Sequence, residues 1–387
     1  MRVLMIAACP LPWPRGTPIR IHRMAEALVT QGHEIHVVTY PVGDGSIPIN
    51  YHAHRVARAD TRLETAPGPS LRKLAYLDPL LWARVRRLLH AESFDLVHAH
   101  HYESLIAALL ACRGRRAVPV VYDAHTLLAP ELPQYRLPLP RRLLTGVGAR
   151  LDRTLPRRAD QVIAVSAGMQ QWLTSQGGVA AGRISLIPNG VEHAHFAGTP
   201  PGPRGDSPRR IVFAGNLAEY QSVRLLLEAF QRVHRSMPDV RLVLVTDGTM
   251  EPLLANMRAL GIADFVSRVG SDYASLPERL AEADVLANPR VQCTGVPQKV
   301  LNYMAAGRPI VSFESSRGPL RDGVTGLVVP EGDVGAFAAA LLRLLREPAL
   351  GNVMGQAARR EVVARHGWSQ VAERVTEVYE RVARVRA

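Results

Sequence analysis

Short apolar runs alternate with amphipathic helical stretches along this chain. The alternation runs through twice, once on each side of a segment crowded with proline and glycine. In the first half, strands are expected near 2–8, 34–40, 52–56, 94–99, 118–122, 161–165 and 184–188. Helices are expected near 18–31, 71–91, 103–113, 141–155 and 167–176. Gly198, Pro200, Pro201, Gly202, Pro203, Gly205 and Pro208 then crowd one stretch, the composition of a linker. Beyond it the pattern restarts with strands near 210–215, 240–245, 265–266 and 284–287 and helices near 223–236, 250–260 and 275–282. Helices near 333–346, 349–365 and 368–384 finish the chain. Such alternation predicts parallel sheets covered on both faces. At 387 residues the chain exceeds what one hydrophobic core holds. The expected fold is therefore α/β, with two doubly wound domains, 1–191 and 210–366, joined by a linker at 192–209 and followed by a last segment, 367–387. Ligands of such sheets bind beyond the carboxyl ends of the strands, so a cleft is expected where the two domains face each other.

The segment from Thr294 to Val311 carries the sharpest local signal. Thr294 and Gly295 make a turn that runs through Val296 and Pro297 into a helix with apolar positions Val300, Leu301, Met304 and Ala305. Gly307 closes the helix, and residues 309–313 read as a buried strand. A helix start presented by a glycine loop offers free backbone N–H groups and a positive dipole end, to which a phosphate or a sugar hydroxyl can bind. Lys299 lies in its first turn, on one face with Asn302 and Tyr303.

Composition narrows the class. No apolar run reaches the roughly 18 residues a membrane span needs, and the opening 2–8 run, broken by Pro10, Pro12 and Pro14, reads as a first buried strand rather than a leader. Cys9, Cys112 and Cys293 are scattered and without metal spacing, which favours a reducing, cytoplasmic setting. The net charge is +13, and Lys73 and Lys299 are the only lysines among 47 basic residues. Genomic arginine bias accounts for that, and so does a basic face meeting an anionic membrane or substrate. Nucleic acid is not expected, since the cations are dispersed and outside any recognised motif. Two basic-apolar segments, 71–91 and 141–158, can lie on an anionic bilayer or be ordinary solvated helix faces.

Landmarks in order along nearly the whole chain resemble the retaining GT-B glycosyltransferases of family 4. The 12–20 loop, Gly32-His33-Glu34, Val97-His98, Tyr122-Asp123-Ala124-His125, Ala164-Val165-Ser166, Pro188-Asn189-Gly190, Gly215-Asn216-Leu217, the 294–311 motif and His366-Gly367-Trp368 carry the resemblance. It implies two Rossmann-like domains, transfer of a sugar from a nucleotide-sugar donor to an acceptor hydroxyl with retention, and service in cell-envelope polysaccharide or glycolipid synthesis, where the acceptor can be lipid-linked and the enzyme peripheral at the inner membrane face. It also implies that the last helix crosses back to the first domain, and that neither cofactor nor metal is required. Gly-x-Gly-x-x-Gly is missing after the first strand, which argues against a nicotinamide-dependent dehydrogenase.

The departures are at the charged positions. Where the family usually has two glutamates, this chain has Thr294 and Asn302; where it usually has an Arg and a Lys for the donor pyrophosphate, alignment places Asn216 and Gln221. Neutral amides still hydrogen-bond to phosphates and hydroxyls, though charge-assisted bonds are roughly twice as strong. Two readings follow: a divergent transferase branch in which Lys299 supplies the missing cation, or a non-catalytic binding or regulatory protein. Shared descent alone would also explain the lysine. The donor set expected from the resemblance is Gly16, Thr17, Asn216, Gln221, Thr294, Gly295, Val296, Pro297, Lys299 and Asn302. His125 is the expected catalytic side chain near the anomeric centre, against its simply capping a strand end, and Asp123 is expected to be structural. His98 and His100 alternate on one strand face like metal ligands, but no third ligand stands in an obvious motif, so packing is expected.

Overall fold

The computed structural model describes residues 1–13, 16–56, 71–112, 118–135, 139–196, 208–291 and 297–384. The chain divides into two compact units, Met1–Asn189 with Trp368–Ala387, and Gly190–Gly367.

The first unit contains β1 (Arg2–Ala7), α1 (Gly16–Thr30), β2 (Glu34–Thr39), β3 (His52–Arg55), α2 (Asp78–Ala91), β4 (Leu96–His100), α3 (His101–Ala111), β5 (Val120–Ala124), α4 (Leu128–Glu131), α5 (Arg141–Thr154), β6 (Gln161–Ala164), α6 (Ala167–Ser175) and β7 (Ile184–Leu186). Its sheet has the order β3-β2-β1-β4-β5-β6-β7 and every pairing in it is parallel. Side chains alternate across the sheet, so Val3, Met5 and Ala7 of β1 enter one apolar layer and Leu4 and Ile6 the other. Both layers are covered, which is why the strand reads as a continuous apolar run. The second unit contains β8 (Arg210–Ala214), α7 (Val223–Ser236), β9 (Arg241–Val245), α8 (Glu251–Ala259), β10 (Val266–Val269), α9 (Leu276–Ala281), β11 (Val285–Asn288), α10 (Gln298–Ala306), β12 (Ile310–Phe313), β13 (Leu327–Val329), α11 (Val334–Arg346) and α12 (Pro348–Arg365). Its order is β10-β9-β8-β11-β12-β13, again wholly parallel. Most of the proposed linker, 197–207, lies outside the described residues.

The last helix, α13 (Trp368–Arg384), belongs to the first unit. Val371, Ala372, Val375, Val378, Tyr379 and Val382 recur at helical spacing and share an apolar layer with Ile21, Met24, Ala25 and Leu28 of α1.

Three elements differ from the sequence expectation. The helix expected over 71–91 passes through a π turn, Lys73–Leu77, before α2 begins. Pro79 has no N–H to return to the carbonyl four residues back, and the hydrogen-bond register widens there. The short α4 falls where Pro130 and Pro133 argue for a loop; the Asp152 carboxylate of α5 accepts from the Leu128 and Ala129 N–H groups at 2.7 and 2.8 Å and caps it. Strand β13 was not expected because three residues are too few to show a period.

Candidate functional site

Doubly wound sheets bind ligands where the strand order reverses. That point lies between β1 and β4 in the first unit and between β8 and β11 in the second.

In the first unit a buried ion pair organises the reversal point. Arg20 of α1 and Asp123 of β5 are 1% and 0% exposed. Arg20 Nε donates to Asp123 Oδ2 at 3.0 Å and Nη2 to Oδ1 at 3.3 Å. The guanidinium also reaches Asn189 Oδ1 and the Ile187 carbonyl, both at 3.0 Å. Around this pair stand four imidazoles. His100 Nδ1 is 3.3 Å from Asp123 Oδ2, and His125 Nε2 is 3.5 Å from His100 Nδ1. His98 Nδ1 meets the Tyr379 hydroxyl at 2.7 Å. His101 stacks on His125 with ring centroids 4.6 Å apart and touches Thr17 Oγ1 at 3.1 Å through Nε2. His101 takes φ of 67°, a left-handed conformation costly for a residue with a Cβ, and such strain is concentrated at functional sites.

The electrostatics follow from burial and from Arg20. Burial alone pushes the Asp123 carboxyl up, yet Arg20, with His125 and His100, holds it well below the usual carboxylate range. Because Arg20 already neutralises that carboxylate, burial dominates at the imidazoles. His98 and His125 are pushed well below their ordinary value, and His100 and His101 are lowered as well. His125 is therefore a neutral imidazole at pH 7, able to donate from one nitrogen and accept at the other.

His98, His100 and Asp123 bring three ligand-type atoms within 4.8 Å of one another, so the third partner that the sequence motifs lacked is supplied from β5. The arrangement does not suit a cation, because the Arg20 fork takes both Asp123 oxygens.

These imidazoles make the fold acid-sensitive. An unfolded histidine titrates near 6.5, whereas burial pushes His22 down to about 4 and lowers His98, His100, His101 and His125. As pH falls below about 6.5 the unfolded chain takes up protons first, and stability drops by about 1.4 kcal/mol per pH unit for each extra proton it binds. Asp78, pushed up to about 6 by burial, and Asp152, also raised by burial, work the other way, two groups against seven imidazoles once His33 and His54, lowered likewise, are counted. The thermal midpoint is expected to be highest above pH 6.5 and to fall steeply between pH 6.5 and 4. A midpoint flat from pH 7 to 5 in a thermal melt would mean that the imidazoles are charged in the native state.

In the second unit the reversal point is built around α10. The helix starts after Pro297, with neither a side-chain cap nor an acidic residue in its first turn, and Gly307 closes it at φ of 67°. Across from that closing glycine, Gly355 of α12 lies so near that a Cβ there would meet the Gly307 carbonyl oxygen; only glycine fits. Lys299 Nζ donates to Gln221 Oε1 at 2.5 Å and lies 4.0 Å from the centre of the Phe213 ring. It also lies beside Gly215, where an added Cβ would come within 3.0 Å of the ammonium. The lysine thus sits at the carboxyl end of β8, held by a buried glutamine and an aromatic face. Tyr303 of the same helix accepts from the Ala214 N–H at 2.7 Å, tying α10 to that strand end. Beyond β11, Arg290 lies over the Tyr220 ring at 4.9 Å, and Tyr220 accepts from Asn216 Nδ2 at 2.7 Å. Buried Asn288 donates to Ser312 and Ser316, and Ser316 Oγ donates to the Arg290 carbonyl at 2.6 Å, which fixes the loop bearing Arg290.

Among the sequence candidates, Gln221, Lys299 and Pro297 therefore meet near the start of α10, with exposed Asn216 on the neighbouring loop and half-buried Asn302 one turn along the helix. Thr294, Gly295 and Val296 lie outside the described residues. Gly16 opens α1 with φ of 57°, and Thr17 joins His101. His125 sits within a polar cluster rather than alone at a strand end. Sequence reasoning missed His101, Arg290 and the tie made by Tyr303. The run His98-Ala99-His100-His101 and an arginine two residues past a strand were the available signals.

Two wholly parallel doubly wound units, each with its polar cluster at the reversal point, are the two halves of a GT-B fold. Residues 14–195 match the family model "Glycosyltransferase Family 4" and residues 208–347 match "Glycosyl transferases group 1". The chain is 29% identical over 390 residues to the phosphatidyl-myo-inositol mannosyltransferase of Mycobacterium leprae, covering 99% of this chain and 97% of that protein. Among solved structures it is similar to sucrose-phosphate synthase from Thermosynechococcus elongatus, with a TM-score of 0.78, 21% identity and 99% of each chain covered. It is also similar to HepE from Anabaena in complex with UDP and glucose, with a TM-score of 0.75, 18% identity and 98% and 99% of the chains covered. The chain belongs to the family 4 glycosyltransferases with the GT-B fold, and its activity is glycosyl transfer.

Proposed function

We propose that the protein transfers a sugar from a nucleoside-diphosphate sugar to an acceptor hydroxyl with retention, in the synthesis of a cell-envelope glycolipid or polysaccharide. The observation that carries this reading is Lys299, a cation held by Gln221 and Phe213 at the reversal point of the second unit. Departure of a nucleoside diphosphate builds negative charge on the leaving oxygens, and a pre-positioned ammonium at the positive end of the α10 dipole stabilises that charge. In this scheme Gln221 no longer neutralises phosphate itself; it aims Lys299. Thr294, Gly295, Val296 and Pro297 surround the sugar and diphosphate, Asn216 binds the diphosphate side, and Asn302 faces the ribose. Gly16 and Thr17 bring the loop before α1 to the donor. Neutral His125 contacts the sugar near its anomeric carbon, with His101 and His100 fixing its ring. The scheme uses no protein nucleophile, cofactor or metal ion. The mannosyltransferase relative, named for phosphatidyl-myo-inositol, supports an inositol-containing or lipid-linked acceptor, and the HepE complex supports a UDP-type donor.

A thermal-shift screen of sugar nucleotides tests this reading. A donor at 100 times its Kd stabilises the native state by about 2.7 kcal/mol, so the true donor is expected to raise the midpoint where the free sugar does not. Asn302→Glu, which restores a carboxylate toward the ribose, is expected to keep or improve that response. A folded Asn302→Glu protein that no longer responds to any nucleotide would overturn the assignment of α10. A shift without sugar transfer to any hydroxyl acceptor would leave a binding protein.

The acceptor reading extends to a membrane surface. Among the described residues no helix is long and apolar enough to cross a bilayer. Helix α5 exposes Leu143 and Val147 between the exposed Arg142 and Arg150, and residues 71–76 expose Leu71, Leu74 and Tyr76 beside Arg72. Arg84, counted by its sequence with this basic face, instead approaches His54 Nδ1 at 3.4 Å. Peripheral binding to anionic vesicles is expected, with about 1 kcal/mol from each cation near the surface and weakening with salt. Reversing Arg86, Arg87, Arg141 and Arg142 to glutamate is expected to release the protein from vesicles while leaving its circular dichroism unchanged. Failure of the unaltered protein to co-sediment at low salt would remove the membrane from the proposal.

A further inference from the structure

The edge of the seven-stranded sheet carries a second group of imidazoles that sugar transfer does not use. Strand β3 is the edge, and it pairs with β2 so that His36 stands opposite His52 and Val38 opposite His54. Side chains two residues apart on a strand point the same way, so Glu34 and His36 of β2 share a face with His52 and His54 of β3. The sequence spacing is twofold: Glu34-Ile35-His36 and His52-Ala53-His54.

The geometry brings donors together. Ligand-type atoms of Glu34, His36 and His52 all lie within 4.8 Å of one another. His36 Nε2 is 2.9 Å from Glu34 Oε1, and the His36 and His52 ring centroids are 4.6 Å apart. On its far side His36 Nδ1 faces His54 Nε2 at 2.9 Å. A tetrahedral ion bound at about 2.0–2.1 Å separates its ligand atoms by roughly 3.3 Å, a spacing this group reaches with small rotations of exposed side chains.

We propose that Glu34, His36 and His52 form a binding site for a divalent late transition metal, Zn²⁺ first, with His54 orienting His36 through its other ring nitrogen. Two imidazoles and one carboxylate suit Zn²⁺ and its neighbours, whereas Ca²⁺ and Mg²⁺ prefer oxygen donors. The surrounding contacts match what supports such ligands elsewhere: a hydrogen bond on the second nitrogen of a ligating histidine and a donor on the carboxylate. Arg2 Nε supplies the latter, bonding Glu34 Oε1 at 2.9 Å, while Arg2 Nη2 stands 3.4 Å from His36 Nε2, a contact that the ion displaces on binding. Its charge opposes a metal ion, and Glu92, bonded to Arg2 Nη2 at 2.5 Å, offsets that charge. Three protein ligands leave a fourth position for water. The His98, His100 and Asp123 group differs, because Arg20 holds both of its carboxylate oxygens.

Titration of the full chain, free of any histidine tag, with Zn²⁺ against a colorimetric chelator tests the site. One equivalent is expected to bind. His52→Ala and Glu34→Gln, both at exposed positions, are each expected to weaken that equivalent by at least tenfold, and His54→Ala by 10- to 100-fold. Circular dichroism of each variant without metal controls for folding. Co²⁺ in place of Zn²⁺ is expected to give the visible absorption of a four-coordinate site in the unaltered protein and to lose it in His52→Ala. Absence of a stoichiometric equivalent in the unaltered protein, or less than a tenfold loss in both His52→Ala and Glu34→Gln, overturns the proposal.

Discussion

Replacing Arg20 with leucine is expected to destabilise the protein by about 3–5 kcal/mol, the usual cost of leaving one member of a buried ion pair without its partner. Asp123 is fully buried, and Arg20 is the group that holds it ionised by bonding both of its oxygens. Without the guanidinium the carboxylate must either stay charged in an apolar interior or take up a proton. The Asn189 side chain and the Ile187 carbonyl lose a donor at the same time. Arg20→Lys should recover little, because a single ammonium cannot bridge Asp123, Asn189 and Ile187 as the planar fork does. Adding Asp123→Asn to Arg20→Leu removes the stranded charge and is expected to restore part of the loss. Equilibrium urea unfolding followed by circular dichroism measures all three. A loss below about 1 kcal/mol in Arg20→Leu would show that the pair does not organise the first unit, and with it the argument that His100 and His125 are held neutral would fall.

The second large effect concerns turnover. Lys299→Met is expected to lower kcat by about 10²–10³, the range seen when one pre-positioned donor to a developing anion is removed. Methionine keeps the length and apolar contact over Phe213 but carries no charge, so the fold should tolerate it. The effect falls on kcat because the charge on the diphosphate grows most in the transition state. Gln221→Leu, which frees Lys299 to wander, is expected to reduce kcat less while leaving the overall charge unchanged. Steady-state kinetics with the donor found by thermal shift decides the matter. Unchanged kcat in Lys299→Met would move the leaving-group cation elsewhere, and Arg290, held at the carboxyl end of β11, would be the next residue to replace.

The scaffold of both reversal points was legible in the sequence because period and punctuation are local. Val3 through Ala7 reads as a strand covered on both faces, and in α10 the apolar positions Val300, Leu301 and Met304 with Gly307 mark both the buried face and the end of the helix. The ordered motifs also placed His125, Gln221 and Lys299 near strand ends and a helix start, from which the family assignment followed. Local rules failed where a distant residue decides. Asp152 lies 23 residues from Ala129 yet caps α4 against the advice of two prolines. Arg20 and Asp123 are 103 residues apart, so nothing near either reveals that Asp123 is charged and no free metal ligand. His98 meets a tyrosine 281 residues away on the last helix. His101 takes its left-handed backbone at the turn from β4 into α3, where its ring stacks on that of His125, 24 residues away. By itself the sequence determined the two parallel sheets and the class of chemistry, through apolar periodicity and motifs whose residues are neighbours. Only the tertiary structure decided how the buried charges pair, which imidazoles stay neutral and what holds Lys299, because those energies depend on desolvation and on contacts between residues far apart in the chain.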